Sequence, residues 1–208
     1  MTQKTRSSGQ ERISAMATYL PPVERPRGLL MKLVYFFTRR QFGKVATPIA
    51  VFSARMPTAF LIFYGKVSRL DKKLRLPPRT AVLIREQVAS INMCLFCMDA
   101  SRWYAIKMSP DNEARFDALA EYRTSPLFTD AERAALDYVS ELARNKEVDP
   151  DTFARLRRHY SEREICDIVW LVASEHLYNI SNIALNIGSD GLCDLRPENA
   201  AKATATGT

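Results

Sequence analysis

Ser161-Glu162-Arg163-Glu164 is a capping box, and it opens the longest apolar run of the chain, Ile165 to Ile187, closed by Gly188. The Ser hydroxyl and the Glu carboxylate of such a box satisfy each other's orphan backbone donors, so a long helix is predicted here. Thr129-Asp130-Ala131-Glu132 repeats the device ahead of Ala135, Leu136, Val139 and Leu142, which recur at helical spacing. Asp149-Pro150 starts a short helix ending near Arg158. Proline outnumbers glycine, 11 to 7, and long alternations of Val, Ile and Thr are absent. The sequence predicts an all-α fold with no strand. At 208 residues, 47% apolar and 25% charged, the chain is long enough for one well-packed domain.

Residues 1–27 form a loose leader, polar at first and then broken by Pro21-Pro22 and Pro26. The helical domain is predicted over 28–190, and 191–208 is a C-terminal tail. Within the domain, 28–44 forms a basic amphipathic helix, with Leu29, Leu30, Leu33, Val34, Phe36 and Phe37 recurring at helical spacing ahead of Arg39-Arg40 and Lys44. Such a helix either packs on the core, its cations complementing its C-terminus, or lies on an anionic membrane surface. The core-facing reading is the expectation, and membrane contact by 29–44 is the less favoured one. Pro48 to Arg55 and Pro57 to Leu70 follow as two helices, with Ala59, Phe60, Ile62, Phe63 and Val67 expected in the core. Pro77-Pro78 then leads into a helix from about Arg79 through Ile91. A further helix reaches Met108, and Ser109-Pro110 opens another through about Tyr122.

Charge is unevenly spread. Residues 1–80 hold 16 Lys and Arg against 3 Asp and Glu, while the other 128 hold 14 against 20. This basic first third matches no recognisable nucleic-acid module, so no specific nucleic-acid partner is expected. There is no Gly-rich phosphate loop, Rossmann fingerprint or Gly-x-Ser-x-Gly elbow. No stretch of eighteen residues is both apolar and free of charge, and no secretory signal opens the sequence. Cytoplasmic thiol use is therefore the expectation for the four cysteines at 94, 97, 166 and 193.

Chemistry concentrates between Glu86 and Trp103. Cys94 and Cys97 are spaced i, i+3, which on a helix puts both sulfurs on one face. If Cys94 begins a helix, free amides and the dipole favour thiolate, and such sites lower a Cys pKa from about 8.5 to roughly 3.5–7.5. A dithiol/disulfide centre is the functional reading; two buried structural cysteines is the bland one. Glu86 is either a half-buried proton shuttle or a surface partner of Arg79 or Arg85. His159 reads as an exposed cap. Glu175, His176 and Tyr178 interrupt the long apolar helix, so they either satisfy one another in the core or line a site. Cys166 reads as core, and Cys193 as an incidental thiol, the less favoured reading being a resolving thiol for the pair. One Cys-x-x-Cys without a second pair does not make a zinc site, and neither metal nor cofactor is expected.

Asn92-x-Cys94-x-Phe96-Cys97-Met98-Asp99 resembles the active-site segment of the carboxymuconolactone decarboxylase and alkylhydroperoxidase D-like superfamily. Phe128 to Leu136, Phe153, Ser161 to Cys166 and Tyr178-Asn179 fit its downstream order, so the similarity spans roughly residues 45–190. The resemblance implies an all-α, single-domain helical bundle that forms homo-oligomers. For members with Cys-x-x-Cys it implies peroxide reduction or disulfide exchange, with a small peroxide or disulfide as substrate and a thiol as electron donor. In the peroxidase branch the second cysteine, here Cys97, attacks peroxide, whereas helix-start logic points to Cys94. The family relay is broken here: its Glu corresponds to Val82, its His after the cysteines to Ser101, and its His between them to Phe96. Glu86 stands one turn nearer the cysteines and is the candidate to replace that acid, a reading of this sequence and not of the family pattern. The candidate catalytic set is thus Cys94, Cys97, Glu86, Ser101 and His176. The alternatives are a non-catalytic helical oligomer that lost the relay and a lactone decarboxylase-like enzyme.

Overall fold

The computed structural model describes residues 17–193, with the side chain of Phe63 excepted. The ends of the expected leader and tail, 1–16 and 194–208, lie outside the described residues. Among those described, every regular element is helical. Nine α-helices follow in order: α1 (Leu29–Phe42), α2 (Pro57–Ile62), α3 (Ser68–Asp71), α4 (Pro78–Ile91), α5 (Leu95–Met108), α6 (Asn112–Asp117), α7 (Asp130–Asn145), α8 (Pro150–Arg157) and α9 (Glu162–Ile183). Wider π-type turns lie at Ile49–Ser53 and Phe63–Val67. No helix among the described residues is long and apolar enough to cross a membrane.

Helix α4 is the hub, packed against α5, α7 and α9. Pro78 occupies its first turn, where a missing N–H costs nothing. Its Ile84 and Val88 meet Val139 of α7 and Ile168 and Leu171 of α9, and all five are fully buried. Leu83, on the adjoining face, joins Ala105 of α5, Phe116 and Leu136 in a second cluster. Glu86 and Gln87, two of the polar residues this burial traps on α4, are paired. Gln87 Nε2 donates to Ser140 Oγ at 2.7 Å, and Glu86 accepts from Ser101. Both capping boxes form as the sequence predicts, at Thr129 with Glu132 and at Ser161 with Glu164.

Several expectations are corrected. On α1 the buried residues are Met31, Tyr35 and Thr38, spaced i, i+4, i+7 and packed on Ala46, Ile49 and Ala50. The Leu and Phe stripe expected inside is largely outside, with Leu29, Leu33, Phe36 and Phe37 exposed. Tyr35 decides the rotation, because its hydroxyl donates to the Val23 carbonyl at 2.6 Å. None of α2 is buried, and Ile62 is exposed rather than core. The helix expected from Ser109 to Tyr122 breaks at Ala118 into α6 and a short 3-10 turn, Leu119–Glu121. The long helix ends at Ile183, five residues before Gly188, because Asn186 takes the left-handed conformation at φ 53. Cys166 is exposed rather than core.

Candidate active site

The turn between α4 and α5 places the cysteines. Met93 adopts φ 56, left-handed backbone that a non-glycine residue enters rarely. It reverses the chain so that Cys94, the N-cap of α5, donates its N–H back to the Ala89 carbonyl at 2.9 Å. The first helical bond of α5 runs from Met98 N–H to the Cys94 carbonyl. The amides of Leu95, Phe96 and Cys97 therefore have no acceptor within the helix, and the positive end of its dipole lies at the sulfurs. The Cα atoms of Cys94 and Cys97 are 5.3 Å apart and their sulfurs are in bonding contact. Both are buried, at 1% and 6% exposure, with Ala89 beneath them.

Of the pair, Cys97 opens onto a cavity of about 490 Å³ and Cys94 does not. Aromatic rings from four parts of the chain wall it: Phe42, Phe60, Tyr64, Phe96, Tyr104 and Tyr178. Its polar end is a charged cluster in which Arg85 donates to Glu175 at 2.8 Å and to Asp71 at 2.7 Å. Glu175 also accepts from Asn179 at 2.7 Å, and Asn179 in turn accepts from Asn92 at 2.8 Å, tying the cysteine turn to α9. Burial raises the Glu175 pKa, against the opposing pull of Arg85.

Ser101 stands one turn beyond Cys97 on α5 and lines the same cavity. Its hydroxyl donates to the Glu86 carboxylate, and Glu86 also lines a separate groove. Burial pushes the Glu86 pKa up to about 7, over the lowering effects of the Ser101 hydrogen bond and Arg102. Glu86 thus sits between the cavity and the open groove, with a proton it can lose or gain near neutrality. This carries a stability cost. A carboxyl whose folded pKa is raised binds its proton more tightly in the native state, so its contribution is full below about 4.5 and is lost as pH rises through about 7. Glu86→Gln cannot ionise and escapes that loss. Urea unfolding should show the variant gaining about 3 kcal/mol on wild type between pH 4 and pH 8. Parallel pH curves for the two proteins would contradict the burial of this charge.

No family model matches the sequence. The uncharacterized protein YnjA of Escherichia coli K12 is 28% identical over 176 residues, covering 84% of this chain and 95% of its own. A variant of the debrominase Bmp8, in complex with 2,3,4-tribromopyrrole, superposes with a TM-score of 0.73 at 21% identity, covering 91% of this chain and 98% of that one. An alkylhydroperoxidase AhpD core, an uncharacterized peroxidase-related protein from Ralstonia eutropha JMP134, superposes with a TM-score of 0.68 at 20% identity, covering 84% and 96%. The fold is alkylhydroperoxidase D-like.

On this alkylhydroperoxidase D-like frame the structure gathers four of the five candidate residues. Cys94, Cys97, Ser101 and Glu86 are contiguous. His176 is not brought to them: its Nδ1 meets the Val172 carbonyl at 2.9 Å and its Nε2 meets Lys146 Nζ at 3.0 Å. Its neighbours Glu175 and Tyr178 do line the cavity. Glu86 pairs with neither Arg79 nor Arg85, since Arg85 is taken by Asp71 and Glu175. Cys193 lies by Asp99, which accepts its N–H at 3.3 Å.

Two features escaped the sequence reading. One is the Asp71–Arg85–Glu175 cluster. The other is Asn182, whose Nδ2 lies 3.3 Å from Cys97 Sγ and 3.8 Å from Cys94 Sγ. A signal was present: Glu175, Tyr178, Asn179 and Asn182 recur at helical spacing, a polar stripe down an apolar helix.

Proposed function

We propose that this chain is a dithiol–disulfide oxidoreductase that reduces an organic peroxide or a small disulfide. The observation that carries the reading is that Cys97 alone of a contacting cysteine pair faces the aromatic cavity. Cys97 is the attacking sulfur and the more deeply buried Cys94 resolves the intermediate. With a hydroperoxide, the Cys97 thiolate bonds to the terminal oxygen and the O–O bond breaks. The alkoxide leaves as alcohol with a proton from Glu86, passed by the Ser101 hydroxyl. Cys94 then attacks the Cys97 sulfenic acid, water departs, and the Cys94–Cys97 disulfide closes. The two sulfurs supply the two electrons that reduce the peroxide. An external thiol re-reduces the pair by exchange through a mixed disulfide. The test is hydroperoxide consumption with an excess of small thiol donor, wild type against Cys97→Ser. Turnover in wild type that vanishes in the variant supports the reading; no turnover in wild type with any peroxide or disulfide sinks it.

The aromatic walls favour one second reading. Bmp8 is a debrominase, and a dithiol can also reduce a carbon–bromine bond: the ring gains hydrogen, bromide leaves, and the disulfide forms. Bromide release from a brominated pyrrole under the same thiol donor separates the two.

A further inference from the structure

We infer that Asn182 is a catalytic residue of this site, the donor that holds the Cys97 sulfur as thiolate. The inference rests on the dithiol reading above, though its test does not depend on turnover. Asn182 lies on the last full turn of α9 and is 5% exposed. A carboxamide buried so deeply needs partners for both of its N–H groups. Its Nδ2 directs them to sulfur, at 3.3 Å to Cys97 and 3.8 Å to Cys94. A disulfide or thiol sulfur is a weak acceptor, whereas a thiolate is a charged one, and charge-assisted bonds are roughly twice as strong as neutral ones. The buried donor is therefore poorly satisfied in the oxidised protein and best satisfied when the nearer sulfur is ionised. Its preference is for the reduced, charged state, and it acts alongside the free amides of the first turn of α5.

The charged and titratable groups facing Cys97 do not supply this effect. Across the cavity Arg85 is held by Asp71 and Glu175, and the carboxylates outnumber it. Behind Ser101 stands Glu86, another carboxyl. Asp99, two residues along α5, is turned to the backbone of 190–193. Tyr64, Tyr104 and Tyr178 add phenols and no cation. Ionised carboxylates oppose an anionic sulfur, and among the described residues no phenol hydrogen-bonds to it. Among the described residues, Asn182 is the side chain with hydrogen bonds to it.

The experiment is site-resolved alkylation of the reduced full-length protein by iodoacetamide across a pH series, with Cys97 read by mass spectrometry. Wild type is compared with Asn182→Ala and with Asn182→Asp, which keeps the shape but offers a carboxylate in place of the amide donor. Loss of one charge-assisted bond should raise the Cys97 midpoint by about one to two pH units in Asn182→Ala. Asn182→Asp should raise it further. Should Asn182→Ala fail to fold, the isosteric Asp variant carries the test. Unmoved midpoints, with or without a lower melting temperature, would reduce Asn182 to a packing residue and overturn the proposal. Shifted midpoints in a protein with no peroxide or disulfide turnover would leave the role of Asn182 standing and remove the proposed function instead.

Discussion

Cys97→Ser should abolish turnover, a fall on the order of 10³-fold or more, because removing a nucleophile leaves only what binding and electrostatics supply. A serine hydroxyl at this position keeps the shape and the hydrogen bond but is not ionised near neutrality. Cys94→Ser should behave differently. Its first turnover should remain, since Cys97 is the sulfur that lines the cavity, and the product should accumulate as the Cys97 sulfenic acid or as a mixed disulfide with the thiol donor. Stopped-flow measurement of a single turnover separates the two variants. A burst that survives in Cys97→Ser and disappears in Cys94→Ser would reverse the assignment and favour the N-cap sulfur.

Glu86→Gln should lower the rate by about 10²–10⁴-fold, the range for a positioned acid–base group. The attack needs an ionised sulfur and a proton for the departing oxygen, so the competent enzyme carries one proton shared between Cys97 and Glu86. With a Glu86 pKa of about 7, the acid that protonates the departing oxygen is lost as pH rises through 7, so wild-type activity falls above it. The Glu86→Gln variant has no such limb, so its pH profile should follow thiol ionisation alone. Saturating donor is needed, so that re-reduction does not hide the effect. If Glu86→Gln keeps the wild-type rate and profile while Glu175→Gln loses them, the relay runs through the α9 carboxylate and the Arg85 cluster.

What was legible in the sequence is what is local. The capping boxes at Thr129 and Ser161 need four consecutive residues, and the cysteine pair needs four, so neither depends on distant parts of the chain. The orientation of α1 was not legible, because Met31-Tyr35-Thr38 and the Leu/Phe stripe are both helical stripes on one segment. The choice between them is made by Val23 and by Ala46, Ile49 and Ala50, outside the helix. The direction of His176 is not legible for a related reason: it adjoins Glu175, yet a single helical residue turns the side chain by about 100°, here toward Lys146. The place of Glu86 on its helix is local, but its partner Ser101 reaches it only with α5 packed against α4. Asn182 is 85 residues from Cys97, and no spacing rule joins them.

The most direct test of the dithiol account is to treat the fully reduced protein with one equivalent of hydroperoxide and count and map its thiols. The account predicts the loss of two of the four thiols per chain, a Cys94–Cys97 disulfide, and Cys166 and Cys193 still as thiols. Four thiols remaining, or Cys97 joined to Cys193 with Cys94 left out, would contradict it.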